Sequence, residues 1–431
     1  MASEVFVLAT SSTRFGRLPE ASFSELAATV TRQVLADARL GSGVEEDLGA
    51  EIGSSWFGNC LMHAWEQTNV RGQMCLTSSV EAGLIPLGVP ITNVEAACAT
   101  GSVALHGAIK DVRSGDADVS LAIAVERMSG VPAADGIEQR SRSLQLLRGS
   151  TDNLHFARIA ETYRDAGRQV GVDFAPAAGR SMFMDTYAIQ ALLHMQKYGT
   201  TKEQVAAGCA KNHQYGALNP LAQYQQAMTV EDVLADVVVT EPFTRAMCAP
   251  VGDGAAAALV VSGDWLAAQP EAVRSRALLV RAHAASSGSY LRRSGEPTLT
   301  ATAAQRAYAR AGLKPTDIDV VELHDATSFG EILQAEMLGL CEPGQGGPFV
   351  ADGATGPGGV VPVNTSGGLV SKGHPIGATG LSMLHEIGLQ LRGEAGERQV
   401  PEARIGLVEN GGGVLGLEEA ACAITILERN S

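Results

Sequence analysis

The sequence lacks most of the features that identify a specialised class of protein. Only 5% of its 431 residues are aromatic, and its seven cysteines are scattered without a CxxC pair. Such cysteines argue against a disulfide framework or a zinc knuckle and favour a reducing compartment. No apolar stretch approaches the roughly 18 residues that a membrane-spanning helix needs. Residues 1–12 have no basic region before their apolar run, so we expect no signal peptide and a cytoplasmic location.

Positive charge is also scarce. The chain has 32 Lys and Arg against 47 Asp and Glu, which gives a formal net charge of −15. So acidic a chain repels phosphate backbones, and we expect neither nucleic acid nor a membrane as a partner. Glycine, in contrast, is abundant at 49 residues, which indicates many tight turns and close backbone approaches. The length predicts two or three globular domains.

Short β-branched runs alternate with helical patterns and predict an α/β fold with buried sheets. The predicted strands are 5–8, 119–125, 257–261, 278–281, 318–323 and 405–408, and the first helix is about 24–38. ATGSVALHGAIKDVR at 99–113 matches ATGLSMLHEIGLQLR at 378–392 in six of fifteen positions. Each copy precedes a strand that ends in Val-Glu, at Glu126 and Glu409. Ala-Thr-Gly recurs by chance in turns, but two duplicated, stacked halves explain the whole pattern better.

A segment that fits neither half separates them. Residues 129–247 read as a helical, polar insert that caps the protein, and insertions of this length are usually functional. We therefore predict a first half at 1–128 that is completed by 248–270, the insert, and a second half at 271–431. Six arginines lie close together in the insert: Arg140, Arg142, Arg148, Arg158, Arg164 and Arg168.

Cys98 is the candidate nucleophile. It stands in NVEAACATGS, between a strand and the helix that begins near Thr100. The N–H groups of that helix would stabilise its thiolate. The alternative is an inert buried cysteine, which is the commoner fate of a free cysteine.

Two histidines are candidate partners of Cys98. His374 lies in SKGHPIGATG, the equivalent turn of the second half, where it could serve as the base, unless it is only structural. His324 ends the strand of IDVVELHDATSF, where α/β sheets present ligand-binding residues. Alternatively, His324 or Asp325 caps the following helix. Gly411, Gly412 and Gly413 end the last predicted strand, so their N–H groups could face an oxyanion or simply form a hairpin or bulge.

Together these motifs resemble the thiolase superfamily, and most closely the sterol-carrier-protein-type thiolases. The resemblance covers nearly the whole chain. Its motifs are NVEAACATGS, NHQYGALNP (212–220), FTRAMCAPVGDGAAAALV (243–260), ELHDATSFGEILQAEMLGL (322–340), NTSGGLVSKGHPIGATG (364–380) and the closing Gly-Gly-Gly. The resemblance implies a thiolase fold, with two stacked α/β halves in αβαβα layers and an inserted loop domain. It also implies a homodimer or a larger oligomer.

The resemblance also implies a mechanism. Cys98 attacks the keto carbon of a 3-oxoacyl-CoA while His374 takes the thiol proton. The C–C bond breaks, and His374 with His324 stabilises the enolate of the departing acyl-CoA. Coenzyme A, as the co-substrate, then attacks the acyl-enzyme, whose oxyanion faces the N–H groups of Cys98 and of the glycines that begin at Gly411. No metal and no tightly bound cofactor are implied.

One departure from the family concerns its second cysteine, which acts as acid and base. The two positions where that cysteine stands in the family hold Glu409 and Ala326 here. Either Glu409 or one of the two histidines moves the proton, or the enzyme no longer performs full thiolysis. Glu409 could serve if burial raised its pKa towards neutrality. The matching Glu126 of the first half makes a structural carboxylate the alternative.

One branch of the family acts on aromatic, branched or steroid acyl-CoAs, often with a small OB-fold, zinc-binding partner subunit. The missing cysteine and the arginines of the insert point to that branch and to a substrate such as an aroyl-succinyl-CoA. Those arginines could bind the phosphates of CoA, or they could simply form solvated helix faces. The alternatives are a retro-aldol lyase that acts on a 3-hydroxyacyl-CoA and a non-catalytic scaffold that binds CoA esters. Retention of Cys98 argues against the lyase, and retention of Cys98, His324 and His374 together argues against the scaffold.

Overall fold

The computed structural model describes residues 4–39, 48–130, 148–174, 181–290 and 296–430. Strands and helices alternate along these residues. The strands are β1 (Val5–Ser12), β2 (Ser54–Gly58), β3 (Ile91–Val94), β4 (Val119–Glu126), β5 (Val238–Thr240), β6 (Phe243–Thr244), β7 (Gly254–Ser262), β8 (Leu278–Ser287), β9 (Val320–Glu322), β10 (Ile405–Gly412) and β11 (Ala421–Arg429). The helices are α1 (Phe23–Ala38), α2 (Arg71–Cys75), α3 (Thr77–Glu81), α4 (Thr100–Ser114), α5 (Phe156–Gln169), α6 (Met182–Tyr198), α7 (Lys202–Leu218), α8 (Val230–Ala235), α9 (Gly263–Ala267), α10 (Glu271–Arg274), α11 (Leu299–Ala311), α12 (Phe329–Met337), α13 (Gly346–Ala351), α14 (Gly368–Lys372) and α15 (Thr379–Arg392). Within these ranges, no helix is both long enough and apolar enough to cross a membrane.

Two sheets repeat one topology. The first has the order β3-β2-β4-β7-β1 and the second β8-β11-β10-β9, and two residue pairs between β1 and β8 join them. In the first sheet β7 is antiparallel to both β1 and β4, and β4 is parallel to β2. In the second, β11 is antiparallel to both β8 and β10, and β10 is parallel to β9. A parallel bridge between Val321 and Val363 replaces β3 in the second sheet. This repeated order confirms the predicted duplication.

The sheets and helices stack in five layers. On the outer face of the first sheet, Ile123 of β4 packs in one core with Val30 of α1. On its inner face, Ala122 belongs to a core with Leu105 of α4 and Leu384 of α15. The second sheet covers the other side of these two central helices, and α11 covers its outer face. The αβαβα arrangement follows because alternate residues of each strand face opposite layers.

The two central helices approach each other at the glycines of the repeated Ala-Thr-Gly. A Cβ at Gly101 would lie 3.0 Å from both the carbonyl oxygen of Gly377 and the amide nitrogen of Leu381. A Cβ at Gly380 would collide with Ser102 Oγ. Because the turn before each helix carries a candidate site residue, this contact brings Cys98 and His374 together.

We expect Gly380→Ala to lower the free energy of unfolding by about 1–3 kcal/mol, the usual cost of inserting a methyl into a packed interior. The methyl would overlap Ser102 Oγ and Asn410 Oδ1. Urea unfolding followed by circular dichroism measures the difference. Gly16→Ala is the control, since no atom lies within 4 Å of a Cβ built there, and we expect a change below about 0.5 kcal/mol. Equal losses in both variants would contradict the assignment to steric overlap.

Helices α5 to α8 lie between β4 and β6, in the segment predicted as an insert. Buried residues of α5 and α6, among them Tyr163 and Tyr187, belong to the same core as α4 and α15. The insert therefore packs over the central helices and reaches the ends where Cys98 and His374 lie. The boundaries at 128, 247 and 270 stay predictions.

Candidate active site

Cys98 lies in a tight turn between β3 and α4. Ala97, Cys98 and Ala99 form a single 3₁₀ turn directly before the helix. Ala97 has a φ of 49°, in the left-handed region that a residue with a Cβ seldom adopts. Strain of this kind clusters at functional sites, because the surrounding structure must hold it. Cys98 itself is 6% exposed.

His374 contacts Cys98 from the symmetry-related turn. Its Nε2 lies 3.3 Å from Cys98 Sγ, and its Nδ1 lies 2.8 Å from Thr379 Oγ1. The hydroxyl of Thr379 donates its only proton to the carbonyl oxygen of Pro375 at 2.9 Å. Thr379 must therefore accept a hydrogen bond from Nδ1–H. This fixes the tautomer of His374 with its Nε2 lone pair directed at the thiol, as a base requires.

Burial keeps this pair neutral. It raises the pKa of the Cys98 thiol to about 12, although the N–H of Gly413 donates to the sulfur and opposes the increase. Burial, followed by the repulsion that a protonated His374 would meet from His324 and Lys372, holds the pKa of His374 well below its usual range. The thiolate expected at the start of α4 is therefore not the resting form, because desolvation outweighs the helix terminus. The resting pair is a thiol hydrogen-bonded to an imidazole.

His324 lies beside His374, and neither of its ring nitrogens is hydrogen-bonded to a described residue. The two ring centroids are 5.3 Å apart, and His324 is 2% exposed. This lack of partners within the described chain is unusual for a buried polar group and indicates space for a ligand atom. Burial lowers the pKa of His324 to about 4, so the ring is neutral. One side-chain atom from each of Cys98, His324 and His374 lies within 4.8 Å of the others, a spacing that would also suit a thiophilic metal ion.

Glu409 lies behind His324 and does not reach the cavity above Cys98. Its Oε2 accepts the backbone N–H of His324 at 2.9 Å, and its Oε1 accepts the thiol of Cys422 at 3.4 Å. In the first half, Glu126 accepts the backbone N–H of Leu61 at 3.0 Å, at the end of the equivalent strand. Burial raises the pKa of Glu409 to about 8 and that of Glu126 to about 7. Glu126 and Glu409 thus hold equivalent loops of the two halves, the loop after β2 and the loop after β9.

Two of the three glycines predicted at the oxyanion site, Gly412 and Gly413, lie against the Cys98 turn. A Cβ on Gly412 would lie 2.5 Å from the amide nitrogen of Ala99, so only glycine permits this approach. Gly413 has a φ of 66° and donates its N–H to the Cys98 sulfur. Gly411 is instead covered by the side chain of Glu419.

A cavity of about 1600 Å³ lies above the Cys98–His374 pair. It exceeds the roughly 300–1,000 Å³ of a typical small-ligand pocket and suits a long ligand such as a CoA ester. Cys98, His374 and Ala326 lie at its floor. Most of the remaining wall comes from the insert, with apolar side chains that include Phe183, Met184, Tyr187 and Met228. The vacant second-cysteine position at Ala326 therefore faces the cavity.

Of the six clustered arginines of the insert, the three whose side chains are described do not line this cavity. Arg158 stacks on the ring of Tyr290 at 3.9 Å, Arg164 bonds the carbonyl oxygen of Ala160, and Arg168 pairs with Asp165. Arg140, Arg142 and the side chain of Arg148 lie outside the described residues. The arginines that do line the cavity are Arg17 and Arg245, within the described ranges.

Sequence reasoning missed three groups of this site. The repeat could have identified Thr379 as a site residue, because it pairs Thr379 with Thr100 at the start of the equivalent helix. Tyr187 and Glu419 had no such signal, because they come from the insert and from the β10–β11 loop, and only the fold brings them near Cys98.

Comparisons with known proteins agree with this geometry. Residues 5–264 match the family model "Thiolase, N-terminal domain" and residues 283–428 match "Thiolase C-terminal domain-like". The chain is 35% identical over 420 residues to an acetyl-CoA acetyltransferase of Methanothermobacter thermautotrophicus, covering 96% of this chain and 97% of the relative. It is 34% identical over 440 residues to human sterol carrier protein 2, covering 97% and 73%. It is 30% identical over 418 residues to the benzoylsuccinyl-CoA thiolase subunit BbsB of Thauera aromatica, covering 95% of each.

Solved structures share the fold at lower identity. The Ltp2-ChsH2(DUF35) aldolase matches with a TM-score of 0.72 and 20% identity over 99% of this chain and 98% of that chain. Human mitochondrial 3-ketoacyl-CoA thiolase in complex with CoA matches with a TM-score of 0.66 and 17% identity over all of both chains. With family matches in both halves and relatives above 30% identity along its length, the chain belongs to the thiolase family and is an acyl-CoA C-acyltransferase.

Proposed function

We propose that this chain cleaves a 3-oxoacyl-CoA with coenzyme A through an acyl-Cys98 intermediate, or runs the reverse Claisen condensation. The contact of 3.3 Å between Cys98 Sγ and His374 Nε2, at the floor of a cavity of about 1600 Å³, carries this proposal. A nucleophile and base from two symmetry-related turns can act on one thioester held above them. The covalent intermediate divides one difficult step into two easier ones.

In the first half-reaction, Nε2 of His374 takes the Cys98 proton as the sulfur attacks the keto carbon. The C–C bond then breaks and leaves an acyl-thioester on Cys98 and the enolate of the departing acyl-CoA. The free ring nitrogens of His324 and the Nε2–H of His374 stabilise the enolate oxygen. Glu409 contributes by holding the backbone of His324 through its N–H.

In the second half-reaction, the thiol of coenzyme A attacks the acyl-thioester. The oxyanion of that step faces the N–H of Cys98 and that of Gly413, which already points to the sulfur. Cys98 leaves as a thiolate and recovers its proton from His374. No tightly bound cofactor or metal is needed, and coenzyme A is the co-substrate.

We propose a bulky, aromatic or branched acyl group. The cavity wall from the insert mixes polar and apolar side chains, and its apolar part offers the rings of Phe183 and Tyr187. Ala326 places only a methyl group at the floor of the cavity. The relative named benzoylsuccinyl-CoA thiolase subunit BbsB supports an aroyl-succinyl-CoA as a candidate substrate. Among the described arginines, Arg17 at the cavity rim is our candidate for the CoA phosphates.

We also propose a homodimer or larger oligomer. Among the described residues, strand β3 is the outermost strand of the first sheet, with Thr92 and Asn93 exposed, and unpaired edges readily accept a second strand. The aldolase with a DUF35 partner and the relative named as a subunit support a second type of partner, a small OB-fold, zinc-binding subunit. All seven cysteines are free thiols, which supports a cytoplasmic location.

Acyl transfer to Cys98 can be tested directly. Acetoacetyl-CoA and 2-benzoylsuccinyl-CoA are incubated with the isolated chain, and with any co-purifying complex, in the absence of free CoA. We expect an acetyl or benzoyl adduct on the tryptic peptide that contains Cys98, and its discharge when coenzyme A is added. Cleavage of a 3-hydroxyacyl-CoA offered in parallel, without an adduct and at a rate unchanged in Cys98→Ser, would favour the retro-aldol lyase. Binding of the esters with neither product nor adduct would favour the scaffold.

A further inference from the structure

Three side chains with sulfur or nitrogen donors converge beside the cavity. Cys98 comes from the turn before α4, His374 from the equivalent turn before α15, and His324 from the loop after β9. One donor atom of each lies within 4.8 Å of the other two, and no other group of three His, Cys, Asp or Glu side chains in the described part of the chain is so arranged. Each of the three residues is at most 8% exposed. Acyl transfer needs no metal here, yet thiolate and imidazole are the donors that metals of intermediate softness prefer.

The distances between the donor atoms are close to those of a zinc site. Tetrahedral zinc binds sulfur at about 2.3 Å and imidazole nitrogen at about 2.0–2.1 Å, which sets neighbouring donors about 3.3–3.6 Å apart. Cys98 Sγ and His374 Nε2 already lie 3.3 Å apart. His324 must approach by at most about 1.5 Å to reach this spacing. Its ring can turn to do so, because no described residue bonds either ring nitrogen.

Both histidines can present a nitrogen lone pair to a metal ion. The Nδ1–H of His374 donates to Thr379 Oγ1 at 2.8 Å, which leaves the Nε2 lone pair on the side of Cys98. A hydrogen bond of this kind on the other ring nitrogen is what orients the histidine ligands of metal sites. In His324 both ring nitrogens lack a partner among the described residues, so one of them is available as a ligand.

The ligand set selects zinc over hard cations and leaves one coordination position open. No carboxylate of the described residues belongs to the group, whereas Mg²⁺ and Ca²⁺ take oxygen ligands. One thiolate and two imidazoles are instead typical of zinc, and three protein ligands leave a fourth position for water. Cys98 and His374 line the cavity, through which the ion can enter and in which the water can lie. Ala326, on the same floor, adds no fourth donor.

We propose that Cys98, His324 and His374 form an inhibitory binding site for Zn²⁺. On binding, the Cys98 thiol gives its proton to water, and the sulfur and one nitrogen of each ring bond the ion. Zinc then occupies both the sulfur that attacks the substrate and the nitrogen that takes its proton, so acylation stops. When a chelator removes the ion, the sulfur regains a proton from water. Zinc binding is independent of the proposed reaction, and only its inhibitory effect rests on that function.

Zinc binding is measured on the intact, chelator-treated enzyme with zinc chloride as the probe. We expect isothermal titration calorimetry to give one Zn²⁺ per chain and no binding of Mg²⁺. X-ray absorption at the zinc edge should show one sulfur at about 2.3 Å and two nitrogens at about 2.0–2.1 Å. The zinc-loaded enzyme should form no acyl adduct on Cys98 until excess chelator is added. No binding of Zn²⁺ in molar excess, a bound ion without a sulfur ligand, or an adduct that forms despite bound zinc would overturn the proposal.

Variants of the ligands locate the ion. We expect Cys98→Ser, His324→Asn and His374→Asn each to weaken zinc binding by more than about a hundredfold, because loss of an outer hydrogen bond alone costs about 10–100-fold. Thr379→Val removes such an outer hydrogen bond from His374 and should weaken binding by about 10–100-fold. The absorption spectrum of the wild type tests the ligand set even where a variant fails to fold.

Two further variants control for other thiols and imidazoles near the cavity. Cys60 is a buried thiol that bonds the carbonyl oxygen of Ala97, and His213 lines the same cavity outside the proposed site. Cys60→Ser and His213→Asn should bind Zn²⁺ as tightly as the wild type. Unchanged affinity in Cys98→Ser, or equal losses in the two controls, would overturn the site. An enzyme that binds zinc through this ligand set but forms no adduct when zinc-free would instead contradict the proposed function.

Discussion

Replacement of Cys98 by serine is expected to lower kcat/KM for thiolysis by about 10⁴–10⁶-fold, the range seen when a catalytic nucleophile is removed. A serine hydroxyl is a far weaker acid than a thiol, and its oxygen, on a shorter bond, lies further from His374 Nε2 than the sulfur does at 3.3 Å. His374 itself is a weak base, because burial and neighbouring positive charge hold its pKa well below its usual range. It could not activate a hydroxyl. Consumption of the 3-oxoacyl-CoA, followed by absorbance, measures the loss.

Cys60→Ser is the matched control for this prediction. Cys60 is also buried, and its thiol donates to the carbonyl oxygen of Ala97 at 3.1 Å, so it lies in the same turn region as Cys98. A serine can donate the same hydrogen bond, and we expect activity within about tenfold of the wild type. Turnover by Cys98→Ser comparable to that of Cys60→Ser would exclude an acyl-Cys98 intermediate.

The repeated Ala-Thr-Gly explains why so much of the fold could be predicted. Both copies begin helices at equivalent threonines, Thr100 and Thr379, and both helices end at glycines in the left-handed conformation, Gly115 and Gly393. Glycines at helix contacts and helix ends are local requirements of the backbone, so a sequence displays them directly. Strands β4 and β7 were predicted for a similar reason, since they are continuous apolar runs buried on both faces.

What could not be predicted depends on burial rather than on local pattern. Cys98 at a helix start suggested a thiolate, but the thiol is covered so completely that desolvation dominates its pKa. The arginines of the insert formed a conspicuous cluster in the sequence, yet Arg158 stacks on Tyr290 and Arg168 pairs with its neighbour Asp165. Glu419 gave no signal because nothing in its own segment indicates that Gly411 and Gln334 lie against it.

The formal net charge of −15 counts several buried carboxyl groups as fully charged. Three acidic groups of β4, β10 and the loop after β10 are fully or almost fully buried, and burial raises the pKa of each: Glu126, Glu409 and Glu419. Carboxyl groups with raised pKa values carry less negative charge near neutrality than the formal count implies. The cavity itself is lined by other acidic residues, Asp185, Asp232 and Asp236, together with Arg17 and Arg245, so the phosphates of CoA would have to lie near the arginines.

His374→Asn is expected to lower the rate of Cys98 acylation at pH 7 by about 10³-fold, within the range for loss of a general base. In the wild type the thiol proton passes directly to Nε2, so the acylation rate should change little between pH 7 and 9. Without His374, only the free thiolate can attack. Since the pKa of Cys98 is about 12, its thiolate fraction rises about tenfold for each pH unit below that value. The variant should therefore regain about a hundredfold of its loss between pH 7 and 9.

Thr379→Val gives a graded comparison for the same step. The valine cannot accept the Nδ1–H of His374, so the tautomer with a free Nε2 lone pair loses its support. Loss of one hydrogen bond worth about 1.5–3 kcal/mol predicts a decrease of roughly tenfold to a hundredfold, with little change in pH dependence, because His374 is still present. Acylation rates are read from the mass of the Cys98 peptide after quenching at each pH. A flat pH profile in His374→Asn would mean that another base takes the thiol proton, and His324, whose ring nitrogens are free and whose centroid lies 5.3 Å from that of His374, would be the group to replace next.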